Sequence, residues 1–178
     1  NTEPMEKELK GFLGESTTLS QLSKNVLITT FDLDNRRPEP TRRTWKPNLF
    51  HNTRQDNAGD ALAFKVGLYT SAAPTYFPSV DGYIDGGVYA NNPSMCALAQ
   101  SQDERVFKDC PNFSDVVLLS MGTGTSLSFL EGRNLDWGTG QWVKPLISIL
   151  MDGISGIADF QCGKLLKEKY HRFAPVFP

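Results

Sequence analysis

The tripeptide Asp85-Gly86-Gly87 constrains the fold of this chain more than any other feature. It follows a short alternating run, Val80 to Ile84, and precedes Ser94 to Ala99, which has the composition of a helix start. Glycine has no Cβ, so another backbone segment or a ligand can approach it closely. The sequence therefore predicts a tight turn between a strand and a helix, with an oriented, accessible carboxylate on it.

Two roles are open for Asp85 at this turn. It is either a general base, or a structural residue whose carboxylate stabilises its own loop as an Asx turn. The nearby Asn91 and Asn92 are predicted to cap the following helix, with Pro93 in its first turn. Contact with a substrate is the second interpretation of the two asparagines.

Composition and charge exclude several classes of protein. The formal net charge of -2 over 178 residues gives no reason to expect nucleic acid as a partner. No stretch approaches the roughly 18 apolar residues that a membrane-spanning helix needs. The three cysteines show no paired spacing and only two histidines are present, so neither a disulfide framework nor a metal site is predicted.

Strand-like and helix-like segments alternate along the chain, which favours an α/β fold with a mainly parallel sheet flanked by helices. The β-branched run from Val26 to Phe31 and the apolar run from Asp115 to Met121 are typical of strands buried on both faces. Because the first of these strands has the character of a central one, we expect further strands before Asn1. Other predicted elements are a helix over 6–13 closed by Gly14, strands near 48–52 and 170–175, and helices over 60–69, 92–100 and 145–166.

A polar, proline-bearing stretch between residues 32 and 46 concentrates positive charge in Arg36, Arg37, Arg42, Arg43 and Lys46. A solvated loop or hairpin is one interpretation, and contact with anionic lipid headgroups is the other. For Trp137 and Trp142, a membrane interface and the protein interior are both open as environments.

Gly122-Thr123-Gly124 follows the apolar run that ends at Met121, and open α/β sheets place ligands at such strand ends. The segment lacks the lysine of a P-loop and the third glycine of a dinucleotide fingerprint. A turn that packs beside the catalytic loop is therefore favoured over a phosphate cradle. His51 is predicted to be a hydrogen-bonded structural histidine.

Several blocks together resemble the C-terminal half of a patatin-like phospholipase domain of the bacterial type. The combination of TSAAPTYFP with YIDGGVYANNP a few residues later is highly specific, whereas a bare Asp-Gly-Gly is weak evidence. The likeness covers nearly the whole chain from about Val26 onward. The matching blocks are Phe31 to Asp34, Leu49 to Asn52, Thr70 to Pro78, Tyr83 to Pro93, Leu119 to Gly124 and Trp142 to Leu166.

The resemblance implies a three-layer hydrolase fold, with residues 1–178 as the C-terminal portion of a single acyl hydrolase domain. It also implies hydrolysis of lipid acyl esters by a Ser–Asp dyad without metal or organic cofactor. Asp85 matches the catalytic aspartate of that dyad. The residues expected to support its turn are Gly86, Gly87, Asn91 and Asn92.

No Gly-x-Ser-x-Gly nucleophile elbow occurs in these residues. We therefore expect the serine and the oxyanion loop to precede Asn1, and the 178-residue chain alone to be inactive. The expected partners are a phospholipid or other lipid acyl ester, a membrane surface contacted transiently and the missing N-terminal half, but no nucleic acid. The expected location is cytoplasmic, peripheral at a membrane. The alternative is a non-catalytic patatin-like segment that binds lipid or a protein partner.

Overall fold

The computed structural model describes residues 2–53, 59–131 and 134–177. The chain divides into two compact units, Asn1–Ala90 and Asn91–Pro178. The assignment of residues 1–178 to a single hydrolase domain stays a prediction.

The described part of the first unit contains three α-helices, two short 3-10 helices and three strands. Gly14 ends the first helix at φ 82°, a conformation that favours glycine, and so confirms the predicted helix end. The elements are α1 (Glu3–Leu13), β1 (Leu27–Asp32), β2 (Lys46–His51), α2 (Ala63–Thr70), β3 (Tyr83–Asp85) and α3 (Gly87–Ala90).

β1 is the central strand of an antiparallel sheet with the order β2-β1-β3. Thr30 of β1 is paired with Asn48 on one side and with Asp85 on the other. The central place of the strand agrees with the prediction, but the expectation of parallel neighbours was wrong for this sheet. The chain between β1 and β2 forms a hairpin connection, which joins antiparallel neighbours directly. A buried β-branched run carries no signal for the direction of the strands beside it.

The core of the first unit joins α2 to this sheet. Leu19, Val66 and Tyr69 are buried together, and burial of each such side chain stabilises the fold by roughly 1.5–3 kcal/mol. The ring of Tyr69 is stacked on Tyr83 with 4.7 Å between centroids, and Phe50 lies against Tyr83 at 5.5 Å. Because Tyr83 is the first residue of β3, this packing fixes the strand that ends at the predicted catalytic residue.

The second unit contains the parallel pairing that the sequence predicts. β4 pairs with β6 and β5 pairs with β7, both in parallel. Its described helices and longer strands lie close to the predicted ranges. The elements are α4 (Ser94–Ser101), β4 (Leu118–Met121), β5 (Thr125–Ser126), α5 (Thr139–Leu166), β6 (Tyr170–Phe173) and β7 (Val176–Phe177).

Two predictions for the second unit differ from the structure. Pro145 lies inside α5, which begins earlier at Thr139; a proline there removes one backbone hydrogen bond without ending this helix. The apolar run that ends at Met121 is not buried on both faces, because Leu119 and Met121 are exposed. β4 has a single strand neighbour, and nothing in the described part of this unit covers that face of it.

The core of the second unit lies between α4 and α5, where Leu98, Cys162 and Leu166 are buried together. The N-terminal half of α5 remains exposed at apolar positions such as Leu146 and Leu150. In the part of the chain that the structure describes, no helix combines the length and the hydrophobicity needed to cross a bilayer.

Candidate active site

Asp85 is the last residue of β3, and its backbone is fixed by one hydrogen bond and by its place in the strand register. Its N–H donates to the carbonyl of Ala72 at 3.0 Å, and it lies opposite Thr30 of β1. These interactions fix the main chain of Asp85 and leave only its side chain free to reorient.

A reverse turn at Asp81-Gly82 directs the chain into β3. Val80 and Tyr83 exchange two backbone hydrogen bonds, of 3.0 and 2.8 Å, across this turn. Asp81 and Gly82 both have positive φ, 51° and 89°, as the tightest hairpin turns require. The pair Asp-Gly is the usual sequence signal for such a turn, and the prediction of a plain alternating strand from Val80 to Ile84 overlooked it.

The side chain of Asp81 is fixed from α2. The Tyr69 hydroxyl donates to Asp81 Oδ2 at 2.8 Å, and Lys65 Nζ lies 3.1 Å from the same oxygen. The hydrogen bond from Tyr69 and the ion pair with Lys65 lower the pKa of Asp81. Burial, followed by the bond to Asp81, raises the pKa of Tyr69. The turn that leads to Asp85 is therefore tied to the unit's core by polar bonds as well as by aromatic packing.

The two carboxylate oxygens of Asp85 have different environments. Oδ1 accepts a hydrogen bond of 2.8 Å from the Gly87 N–H, which is the Asx turn that the structural interpretation predicts. Oδ2 has no hydrogen-bond partner among the described residues, and the side chain is partly exposed. One oxygen orients the carboxylate while the other is open, so the structural role and the general-base role are compatible.

Gly86 lies so close to β1 that no side chain fits at this position. A Cβ there would come within 2.3 Å of the carbonyl carbon and oxygen of Thr29. This close backbone approach confirms the predicted reason for a glycine in the turn. The short helix α3 that starts at the next residue was not predicted.

Asn91 and Asn92, predicted to support the turn, belong to the second unit. Asn91 is exposed, whereas Asn92 is buried. The Ser94 N–H and hydroxyl both donate to Asn92 Oδ1, at 3.2 and 2.6 Å. Asn92 therefore satisfies the free N–H of the first residue of α4 through an Asx turn. The N-cap position itself is Pro93, without a side-chain cap bond, so the prediction of an asparagine cap with Pro93 inside the first turn was wrong by one residue.

A partly buried polar network in the second unit includes Asn92. Arg172 of β6 donates to the Ser120 hydroxyl at 2.7 Å and to the Ser155 hydroxyl at 3.2 Å. Ser120 Oγ in turn lies 3.4 Å from Asn92 Oδ1. The sequence prediction missed this network because its members come from four separate elements with no local pattern to join them.

The segment Gly122-Thr123-Gly124 is a turn held by the C-terminal strands. The Gly122 N–H donates to the Phe173 carbonyl at 2.8 Å. A Cβ at Gly124 would come within 2.2 Å of the Phe177 ring, so this turn is packed against β7. Its place beside the catalytic loop stays a prediction.

The remaining candidate residues lie away from the Asp85 turn in the sequence. His51 is buried and its Nδ1 lies 3.4 Å from the Thr53 hydroxyl, which confirms a hydrogen-bonded structural histidine. Trp137 and Trp142 are partly buried against each other, with ring centroids 5.3 Å apart. The cysteines are free thiols, and no group of three or more metal-ligating side chains occurs among the described residues.

Comparison with known proteins gives relatives but no match to a family model. The chain is 30% identical over 185 residues to patatin-like protein 3 of Arabidopsis thaliana, covering 86% of this chain and 40% of that protein. It is 33% identical over 164 residues to the cGAMP-activated phospholipase of Vibrio cholerae, with coverage of 79% and 42%. It is also 31% identical over 159 residues to the probable inactive patatin-3-Kuras 1 of Solanum tuberosum, with coverage of 75% and 40%.

The chain thus spans about 40% of the length of these relatives. Because plant and bacterial proteins both occur among them, the assignment to a bacterial type stays a prediction.

Proposed function

Because this chain belongs to the patatin-like phospholipase family, we propose that Asp85 is the general base of a Ser–Asp dyad in a lipid acyl hydrolase of phospholipase A type. The carboxylate geometry supports this role. Its Oδ1 is held by the Gly87 N–H, while Oδ2 is left open to accept a proton. A base of this kind acts when it lies roughly 2.6–3.2 Å from the hydroxyl that it deprotonates.

The proposed reaction passes through an acyl-enzyme. Asp85 takes the proton of the serine hydroxyl as the serine oxygen attacks the ester carbonyl. The tetrahedral intermediate collapses, the alcohol leaves with a proton returned by Asp85, and the acyl group stays on the serine. Asp85 then deprotonates a water molecule that hydrolyses the acyl-enzyme. No histidine is needed between base and nucleophile.

The nucleophile of this dyad is proposed to lie outside these 178 residues. The chain has no Gly-x-Ser-x-Gly segment, and Gly153 to Ile157 lacks the second glycine at the required place. We therefore propose that a further part of the intact protein supplies the serine and the oxyanion donors. The 178-residue chain alone then has no hydrolase activity. The proposed substrate is a phospholipid or another lipid acyl ester.

A fluorophosphonate probe, which labels activated serines, tests the proposal. The intact protein should be labelled, and Asp85→Asn should lower labelling and ester hydrolysis by about 10²–10⁴-fold. Asp109→Asn, which removes an exposed carboxylate of the second unit, should leave both rates unchanged. Labelling of the 178-residue chain itself, or full activity of Asp85→Asn, would overturn the proposal.

The second candidate is a non-catalytic lipid- or protein-binding segment. It is favoured by the absence of the elbow and by the relative that is named as a probable inactive patatin. If the intact protein is folded but neither labelled nor hydrolytic, this second candidate replaces the first.

A further inference from the structure

A basic loop, defined as residues 36–46, connects β1 to β2 and is exposed along its whole length. Its last residue is also the first residue of β2. The chain as a whole has a net charge of -2, so this loop has the opposite sign to the rest of the molecule. It contains one carboxylate, Glu39, against five cations: Arg36, Arg37, Arg42, Arg43 and Lys46.

Part of this positive charge is neutralised. The Arg43 guanidinium forms a two-point ion pair with Asp34, which lies just before the loop. Arg42 forms an ion pair of 3.0 Å with Glu39, but both side chains are about two-thirds exposed, so this pair contributes little. Arg37 and Lys46 have no carboxylate within ion-pair distance among the described residues. The loop therefore presents an incompletely neutralised cationic surface.

Trp45 adds an aromatic ring to this surface. Its side chain is 71% exposed and lies in the chain between Arg43 and Lys46. An isolated exposed apolar residue is ordinary, but an exposed tryptophan flanked by cations is suited to a lipid headgroup region. In that region the amphipathic ring lies at the level of the headgroups, and the cations pair with the phosphates of anionic lipids.

The loop is joined to the sheet that carries Asp85. It follows Asp32, the last residue of β1, which lies two residues beyond the Thr30 that pairs with Asp85. At about 3.4 Å per residue, the two points are about 7 Å apart along the strand. The Arg36 guanidinium also donates to the backbone carbonyl of Asp81, in the turn before β3. A lipid surface that binds this loop therefore also binds the unit that contains Asp85.

We propose that the basic loop is a docking surface for anionic phospholipid headgroups, with Trp45 at the headgroup level and Arg37 and Lys46 beside lipid phosphates. The inference rests on the proposed function for its choice of a lipid partner, but binding requires no hydrolysis. A nucleic acid is disfavoured as the partner, because the chain outside the loop is acidic and would repel it.

Sedimentation with vesicles of ether-linked phospholipids tests the docking surface in the intact protein, because such lipids contain no acyl ester. Binding should require phosphatidylglycerol in the phosphatidylcholine vesicles and should weaken as salt is added. Loss of one cation should weaken partitioning about 5-fold, so Arg37→Gln with Lys46→Gln should weaken it about 25-fold. Lys7→Gln with Lys108→Gln removes the same charge from exposed positions outside the loop and should retain most binding.

Tryptophan fluorescence gives a second, independent measurement. Trp45 becomes the only tryptophan of these 178 residues when Trp137 and Trp142 are replaced by phenylalanine, and a further Trp45→Phe change in the intact protein isolates the contribution of Trp45 to the emission. Its emission should shift to the blue on addition of phosphatidylglycerol vesicles and should not shift with phosphatidylcholine alone.

Equal binding by the two double variants, or unchanged Trp45 emission, would overturn the docking proposal. Hydrolysis of a monomeric short-chain ester, measured in the same variants, distinguishes failure of the docking proposal from failure of the hydrolase proposal. Loop-dependent binding without any hydrolysis would refute only the hydrolase proposal. Unimpaired hydrolysis of the monomeric ester without vesicle binding would refute only the docking surface.

Discussion

The backbone carbonyl of Thr29 occupies the space that a side chain at Gly86 would need. The distance of 2.3 Å from a Cβ at position 86 to this carbonyl explains why glycine follows the candidate base. The neighbouring Gly87 has a different role, because its N–H donates to the Asp85 carboxylate and orients it. The two glycines of the turn therefore serve different purposes, one in packing and one in orientation.

Replacement of Gly86 by alanine should destabilise the first unit strongly. The new methyl group meets main chain that cannot rotate away, and overpacking of this kind costs about 3 kcal/mol. Urea denaturation of Gly86→Ala should show this loss in the free energy of unfolding. Gly11→Ala is the matched control, because a Cβ there meets nothing within 4 Å in the helix α1. It should stabilise the protein by up to about 1 kcal/mol.

Removal of the Tyr69 hydroxyl should alter the pH dependence of stability at both extremes. The pKa of Tyr69 is raised in the folded state, so its contribution is complete below the ordinary tyrosine pKa of about 10. That contribution is lost as the pH rises further. The pKa of Asp81 is lowered, so its contribution is present above the ordinary aspartate pKa of about 3.9 and is lost in acid.

The change Tyr69→Phe should therefore lower the free energy of unfolding at neutral pH and flatten its decline above pH 10. It should also reduce the loss of unfolding free energy at acid pH, because Asp81 loses the hydrogen bond from Tyr69, which is the largest cause of its lowered pKa. Urea denaturation at a series of pH values measures all three effects. A pH profile parallel to that of the unmodified protein would contradict this assignment.

Replacement of Arg172 by methionine should destabilise the second unit. Hydrogen bonds to charged groups contribute about 1.5–3 kcal/mol each, and the change leaves the buried Ser120 hydroxyl without its cationic donor. Chemical denaturation should show a loss in that range. Arg105→Met is the control, since Arg105 is exposed and its one carboxylate partner among the described residues is the nearby Asp103, and its effect should be much smaller.

The thiol of Cys162 should be unreactive in the native protein. It has no exposed surface, and burial raises its pKa, so little thiolate is present at neutral pH. Mass spectrometry after iodoacetamide treatment should find Cys162 unmodified until denaturant unfolds the second unit. Rapid native labelling would show that the contact between α4 and α5 opens readily.

The features that the sequence predicted correctly have local causes. The end of α1 at Gly14 depends on residues within a few positions of each other. The need for a small residue at position 86 is indicated by the glycine itself, although Thr29, which it packs against, is distant in the chain. The Asp81-Gly82 turn had an equally local signal that was overlooked.

Other features depend on contacts between distant segments. The antiparallel neighbours of β1 and the bonds of Arg172 join residues that are far apart in the chain, and no residue pattern encodes such pairings. The orientation of the Asp85 carboxylate is an intermediate case, because the Asx turn is local but the open Oδ2 is visible only in three dimensions.

The close packing of Gly86 against Thr29 also affects the chemical stability of the Asp85–Gly86 linkage. An aspartate followed by glycine is ordinarily vulnerable to ring closure, in which the glycine nitrogen attacks the side-chain carbonyl and the linkage isomerises. That attack needs rotation of the peptide between the two residues, which the close packing of position 86 against Thr29 and the strand pairing of Asp85 restrict. The packing that brings the carboxylate into position should therefore also slow isomerisation of the Asp85–Gly86 linkage.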